Sequence, residues 1–118
     1  MHELSIVLNI VDIVEQEALK AGAGSVSAIE LDIGKLSTIE PVAFEFAWKH
    51  GIRESVLEGA NLTINYIPGR GICRDCNTNF EMNALFDPCP DCGSFLSEIT
   101  DGEQMSIKSI RIEESIKT

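Results

Sequence analysis

All four cysteines of this 118-residue chain lie in one short segment, and their spacing constrains the fold more than any other feature. They form two Cys-x-x-Cys pairs, Cys73/Cys76 and Cys89/Cys92, separated by residues 77–88. Each pair predicts a tight turn that directs two sulfurs at one point, and the short connection brings the two turns together. The segment therefore predicts a Zn(II) site with all four cysteines as ligands. Two disulfides are the alternative, and they require an oxidising compartment.

The length of the chain allows one modest core and a small metal-held module, because segments below roughly 40 residues rarely fold without metals or disulfides. The opening segment, MHELSIVLNIVDIVEQEALK, lacks a basic leader followed by an uninterrupted apolar run. No apolar run approaches the length of about 18 residues that a membrane span needs. We therefore expect a cytoplasmic protein with reduced thiols and no membrane partner.

The charge of the chain argues against nucleic acid as a partner. Nineteen acidic and nine basic residues give a formal net charge of −10, which repels phosphate backbones. The cysteine segment is itself acidic, since residues 69–100 carry two arginines, Arg70 and Arg74, against five acids: Asp75, Glu81, Asp87, Asp91 and Glu98.

Hydrophobic periodicity predicts the elements outside the cysteine segment. An amphipathic helix is expected from His2 to about Ala21, with one apolar row at Leu4, Val7, Leu8, Val11 and Ala18 and a second at Ile6, Ile10 and Ile13. Alternation predicts strands at residues 25–33, 61–67 and 104–113, with a bulge near Lys108 and Ser109, where the apolar phase changes. Pro41 predicts the start of a second helix that runs to about Leu57, with Glu40 at its N-cap.

The last predicted strand is too long for a small metal module, so we assign it to the main sheet. The expected fold is α+β, with two helices packed on a three-stranded mixed sheet and an inserted four-cysteine module that resembles a zinc ribbon. Residues 1–68 and 101–118 form the main domain in this interpretation, and residues 69–100 form the zinc-binding module.

Catalytic motifs are absent from the sequence. There is no Gly-x-Ser-x-Gly elbow and no phosphate-binding glycine loop, and His2 and His50 are the only histidines. We therefore do not predict an enzyme, and His50 is interpreted as a packed or solvated helix residue.

The N-terminal triplet Met1-His2-Glu3 is a candidate for a second metal site. The terminal amine, the His2 backbone nitrogen and the His2 imidazole can close two fused chelate rings, and the Glu3 backbone nitrogen can supply a fourth donor. Such an all-nitrogen plane suits square-planar Ni(II) or Cu(II) better than tetrahedral zinc. An ordinary surface histidine is the alternative interpretation of His2.

Four features together resemble the HypA/HybF family over essentially the whole chain. They are Met1-His2-Glu3 opening an amphipathic helix, Gly34 closing a strand, the Glu40-Pro41 helix start, and the four-cysteine module followed by a terminal strand. Members of this family are nickel metallochaperones of hydrogenase maturation and, in some organisms, of urease maturation.

The resemblance implies that Ni(II) is a transient cargo held by the Met1 amine, the His2 backbone nitrogen and imidazole, and the Glu3 backbone nitrogen. It also implies a carboxylate at Glu40 close to the nickel. Some members have aspartate at this position. The longer Glu40 side chain could contact the nickel directly, support the residues that bind it, or gate access to it.

The resemblance further implies a structural Zn(II) on Cys73, Cys76, Cys89 and Cys92, and partnership with a HypB-type GTPase and a hydrogenase large subunit. Family members are monomers or homodimers.

Two other classes also use paired Cys-x-x-Cys motifs: a rubredoxin-like iron electron carrier and a zinc-ribbon adaptor protein. The first usually has glycine where this chain has Asn77, and the second suits a basic ribbon.

Overall fold

A computed structural model describes residues 3–114, which form two helices and six strands. In chain order these are α1 (Glu3–Lys20), β1 (Ala23–Gly34), α2 (Pro41–Gly51), β2 (Asn61–Ile67), β3 (Gly69–Cys73), β4 (Asn79–Met82), β5 (Ser97–Asp101) and β6 (Met105–Glu114). The strands form two three-stranded sheets, of order β2-β1-β6 and β4-β3-β5. The α+β class, the two helices and the terminal strand in the main sheet are therefore confirmed.

The described chain divides into two compact units. The helical unit contains residues 3–31, 38–63 and 107–114, and the cysteine unit contains residues 32–37 and 64–106. Strands β1, β2 and β6 each contribute residues to both units.

The helical unit has its core where α1 packs against α2, and β1 adds buried side chains to it. Of the predicted helix rows, Leu4, Leu8 and Ile13 are exposed, and the buried α1 residues are Val7, Ile10, Val11, Val14 and Ala18. The apolar stripe of α1 is thus narrower than the sequence predicted. On β1, Ile29 and Leu31 are buried as the alternation predicted.

Helix α2 begins as predicted and ends six residues earlier than predicted, at Gly51. Glu40 is its N-cap, with the side chain accepting a hydrogen bond from the Ala43 N–H, and Pro41 opens the first turn. After Gly51 the chain forms tight turns: Ser55 N–H donates to the Ile52 carbonyl, and the Ser55 hydroxyl donates to the same oxygen at 2.7 Å. This local serine bond replaces the helical pattern, so the predicted end near Leu57 was wrong.

The cysteine unit is built on the central strand β3, which pairs antiparallel with both β4 and β5. Its core is small and consists of Leu36, Cys73, Phe80, Met82 and Cys89, with Ile99 packed against them. These three strands have four or five residues each, with glycines in β3, so no clear alternation marked them in the sequence.

Leu36 supplies an apolar side chain to this core from the segment after β1. Its N–H donates to the Gly102 carbonyl at 2.7 Å, and the Lys35 N–H donates to the Ile67 carbonyl at 2.8 Å. The side chain lies against Gly69, where an added Cβ would come within 2.5 Å of the Leu36 Cγ. A side chain at position 69 would therefore displace Leu36.

We predict that Leu36→Ala lowers the free energy of unfolding by about 2–5 kcal/mol, because it leaves a cavity in a core with few other members. Urea denaturation followed by circular dichroism measures the change. Leu19→Ala is the matched control, since Leu19 is 80% exposed and its truncation should cost less than about 0.5 kcal/mol. Equal effects of the two substitutions would contradict the assignment of Leu36 to the core.

Candidate metal centre

The two Cys-x-x-Cys pairs adopt the same hydrogen-bonded turn. Cys73 N–H donates to the Thr78 carbonyl at 2.9 Å, and Asn77 N–H donates to the Cys73 carbonyl at 2.8 Å. In the second turn, the Cys89 N–H donates to the Ser94 carbonyl at 2.8 Å, and the corresponding donor to the Cys89 carbonyl is Gly93 N–H. Both turns thus form by local backbone bonds that orient their sulfurs.

Asn77 and Gly93 occupy equivalent positions in these turns, with φ of 63° and 77°. This left-handed conformation is free of steric cost for glycine and is tolerated by asparagine. Asn77 can therefore take the place that glycine has in the second turn.

The four sulfurs converge on one point. All lie within 4.8 Å of one another, and Cys73 Sγ to Cys92 Sγ and Cys76 Sγ to Cys89 Sγ are each 3.6 Å. A tetrahedral ion with sulfur ligands at about 2.3 Å requires sulfurs about 3.8 Å apart. The donor set and its spacing therefore fit zinc, and all four cysteines are free rather than paired in disulfides.

The two turns are linked by a polar bridge that the sequence did not reveal. Thr78 Oγ1 lies 3.1 Å from Cys76 Sγ and donates to Asp91 Oδ2 at 2.8 Å. The Asp91 N–H in turn donates to Cys89 Sγ at 3.4 Å. Asp91 thus holds one residue of each turn, and such contacts behind the ligands orient the sulfurs.

The electrostatics of the cluster favour a bound cation. The pKa of the Cys92 thiol is raised to about 12: the Ser94 backbone N–H lowers it, but the Cys73 thiol, desolvation and the Cys76 and Cys89 thiols together raise it by more. Sulfurs this close cannot all ionise unless a cation compensates their charge. Because the metal displaces thiol protons, its affinity must fall as the pH falls.

Of the three N-terminal residues predicted to bind nickel, the structure describes one. Met1 and His2 lie outside the described residues, whereas Glu3 is the first residue of α1. Glu3 Oε2 accepts a hydrogen bond from the Glu40 N–H at 3.0 Å, and Glu40 Oε1 accepts one from the Ala43 N–H at 2.9 Å. Glu3 and Glu40, which the sequence suggested separately, are therefore in direct contact.

Other candidate sites are few in residues 3–114. His50 is an exposed residue in the last turn of α2, with its ring 4.6 Å from that of the exposed Phe46, so it is a solvated helix residue. Within this range the four cysteines are the group of metal-ligating side chains that the structure brings together. No helix there is long and apolar enough to cross a membrane.

The fold and this site define a small α+β protein with a four-cysteine metal-binding cluster. The profile of a family described as "Hydrogenase/urease nickel incorporation, metallochaperone, hypA" matches residues 1–112. The chain belongs to this HypA family of nickel metallochaperones of hydrogenase maturation, which are not enzymes.

Relatives and solved structures agree with this membership. The chain is 50% identical to the hydrogenase maturation factor HypA of Parabacteroides distasonis over 112 residues, covering 95% of this chain and 97% of the relative. It is 41% identical to the HypA of Geobacter metallireducens, covering 96% of this chain and all of that one. The solution structure of the Ni metallochaperone HypA from Helicobacter pylori superposes with a TM-score of 0.68 at 30% identity, covering 98% of this chain and 100% of that one.

We predict that Thr78→Val weakens zinc binding about 10- to 100-fold, because it removes the hydroxyl that joins Asp91 to the first turn while all four ligands remain. Competition with a chromophoric zinc chelator measures the affinity. Thr63→Val, on an exposed position of β2, is the control and should bind zinc like the unaltered protein. The same affinity in both variants would show that the Thr78 bridge does not support the ligands.

Proposed function

We propose that this chain binds Ni(II) at its N-terminus and delivers it to a hydrogenase large subunit during maturation. The donors in this proposal are the Met1 amine, the His2 backbone nitrogen and imidazole, and the Glu3 backbone nitrogen. The observation that carries the proposal is the family match from residue 1 to residue 112, which includes this triplet. The position of Glu3 at the start of α1, in contact with Glu40, supports it.

The four cysteines hold a structural Zn(II) in this proposal. Soft thiolates suit zinc, and a site with four protein ligands leaves no position open for exchange. Cys73 and Cys89 are moreover buried in the core of the cysteine unit. Zinc therefore stays with the protein as part of its fold, and nickel is the cargo.

Delivery proceeds by ligand exchange rather than catalysis. Four nitrogens in one plane leave both faces of a square-planar nickel open, so ligands of an acceptor protein can approach before the original donors leave. Glu40 is bonded to the Glu3 side chain through its N–H and uses one carboxylate oxygen for the α2 N-cap, which favours a supporting role over direct ligation.

The implied partners are a HypB-type GTPase and a hydrogenase large subunit, in the cytoplasm, with the chaperone as a monomer or homodimer. We infer that the working division is a nickel-binding domain of residues 1–68 and 101–118 and a zinc module of residues 69–100. Membership of the HypA family makes the iron electron carrier and the zinc-ribbon adaptor unnecessary as explanations of the four cysteines.

We predict that His2→Ala abolishes nickel binding, because it removes the imidazole and one of the two chelate rings. Isothermal titration calorimetry on protein with a native, untagged N-terminus measures the nickel affinity. Zinc content and the circular dichroism spectrum should remain those of the unaltered protein. Unchanged nickel affinity in this variant would refute the terminal site.

We predict that nickel affinity falls at least roughly 100-fold between about pH 8 and pH 6. An imidazole has a reference pKa of about 6.5 and a terminal amine about 7.7–8.0, and protons compete with nickel for both as the pH falls. Backbone nitrogens also lose protons on binding, which steepens the dependence in the same direction. Calorimetry across this range tests it, and a flat profile would indicate carboxylate ligation instead.

A further inference from the structure

The Glu3 side chain makes a contact that joins the two helices at one end of the helical unit. Its Oε2 accepts the Glu40 N–H at 3.0 Å, across 37 positions of the chain. Glu40 is itself committed to α2, because its carboxylate accepts the Ala43 N–H and its carbonyl accepts the Phe44 N–H at 2.8 Å. Glu3 is therefore bonded to a residue that two hydrogen bonds fix at the start of α2.

The residue after Glu3 lies near the opposite end of α2, at Gly51. Leu4 Cδ1 lies 3.5 Å from where a Cβ would stand on Gly51, and Val7 Cγ1 lies only 2.6 Å from that point. The first turn of α1 therefore has one side chain bonded at the N-terminus of α2, Glu3, and one beside Gly51 at its C-terminal end, Leu4.

The location of the two carboxylates makes this contact favourable despite their like charge. Both Glu3 and Glu40 accept backbone N–H groups at the N-terminus of α2, where the helix dipole is positive. Hydrogen bonds from backbone N–H groups to carboxylates are also stronger than those to neutral acceptors.

We propose that Glu3 is a positioning residue of the nickel site: its carboxylate stays on the Glu40 N–H and holds the Glu3 backbone nitrogen in place as the fourth donor. The carboxylate does not coordinate nickel in this scheme. The inference rests on the proposed terminal site, and it assigns the Glu3 side chain a role distinct from that of its backbone. Without the anchor, nickel binding must also order the first turn of α1.

The chain offers a matched control in Glu15, which lies further along the same helix. Glu15 Oε2 accepts the Val56 N–H at 3.4 Å, so it too joins an α1 carboxylate to a backbone N–H of the following segment. Both residues are bonded within the helical unit, but Glu15 lies about three helical turns away from the terminal nitrogens. Its removal costs a similar contact without loosening the first turn.

The test compares Glu3→Ala, Glu3→Gln and Glu15→Ala in the full-length, zinc-loaded protein with a native N-terminus. Calorimetry with Ni(II) gives the affinity, visible absorption gives the coordination geometry, and amide hydrogen exchange of the nickel-free protein reports on the Glu40 N–H. We expect Glu3→Ala to bind nickel about 5- to 30-fold more weakly, the cost of ordering about one backbone residue. Its absorption spectrum should be unchanged, and its Glu40 N–H should exchange faster.

Glu3→Gln should restore binding to within about twofold, because its amide oxygen can accept the same bond, and Glu15→Ala should also stay within about twofold. A spectrum altered in Glu3→Ala, or equal losses in Glu3→Gln and Glu3→Ala, would overturn the inference by showing that the charge or a ligand was lost. Unchanged affinity in Glu3→Ala would overturn it as well. If His2→Ala abolishes nickel binding in the same assay, any of these results would refute only the positioning role of the Glu3 carboxylate. The terminal nickel site would remain supported.

Discussion

Four sulfurs within 4.8 Å of one another are the arrangement on which the cysteine unit depends. Apart from Cys73 and Cys89, the hydrophobic cluster beside the sulfurs has three members, Leu36, Phe80 and Met82, with Ile99 at the edge. So little apolar burial cannot offset the conformational entropy of a unit of this size. A cation held by all four cysteines would supply the missing free energy, since ligands from two turns can converge only when the chain between them is folded.

The two proposed metal sites differ in donor atoms and in how accessible the bound ion is. One retains zinc, and the other releases nickel. The four-cysteine cluster would hold a zinc ion with no open position, and two of its cysteines, Cys73 and Cys89, lie in the core. The proposed terminal site uses nitrogens in one plane and leaves two faces open. A chaperone needs both properties at once, because its own fold must survive each loss of cargo.

The local features of the fold could be predicted, and the contacts between distant residues could not. Cysteine spacing located the metal centre, and Pro41 with Glu40 located the start of α2, because each depends on neighbouring residues alone. The end of α2 was missed since a hydrogen bond of Ser55 competes with the helix, which propensity does not register. The hydrogen bonds from Thr78 to Asp91 and from Glu40 to Glu3 join residues that are distant in the chain. Nothing in a single sequence indicates that these residues are close in space.

Leu36 belongs to the cysteine unit, yet it precedes α2 and β2 in the chain. The cysteine segment is therefore not a self-contained cassette that can be cut out at its two ends. A fragment limited to residues 69–100 would carry all four cysteines and still lack the Leu36 side chain, and it would leave the space beside Gly69 open to water. Transplanting this metal module to another protein would require grafting a second strip of chain, residues 32–37, in the correct position against it.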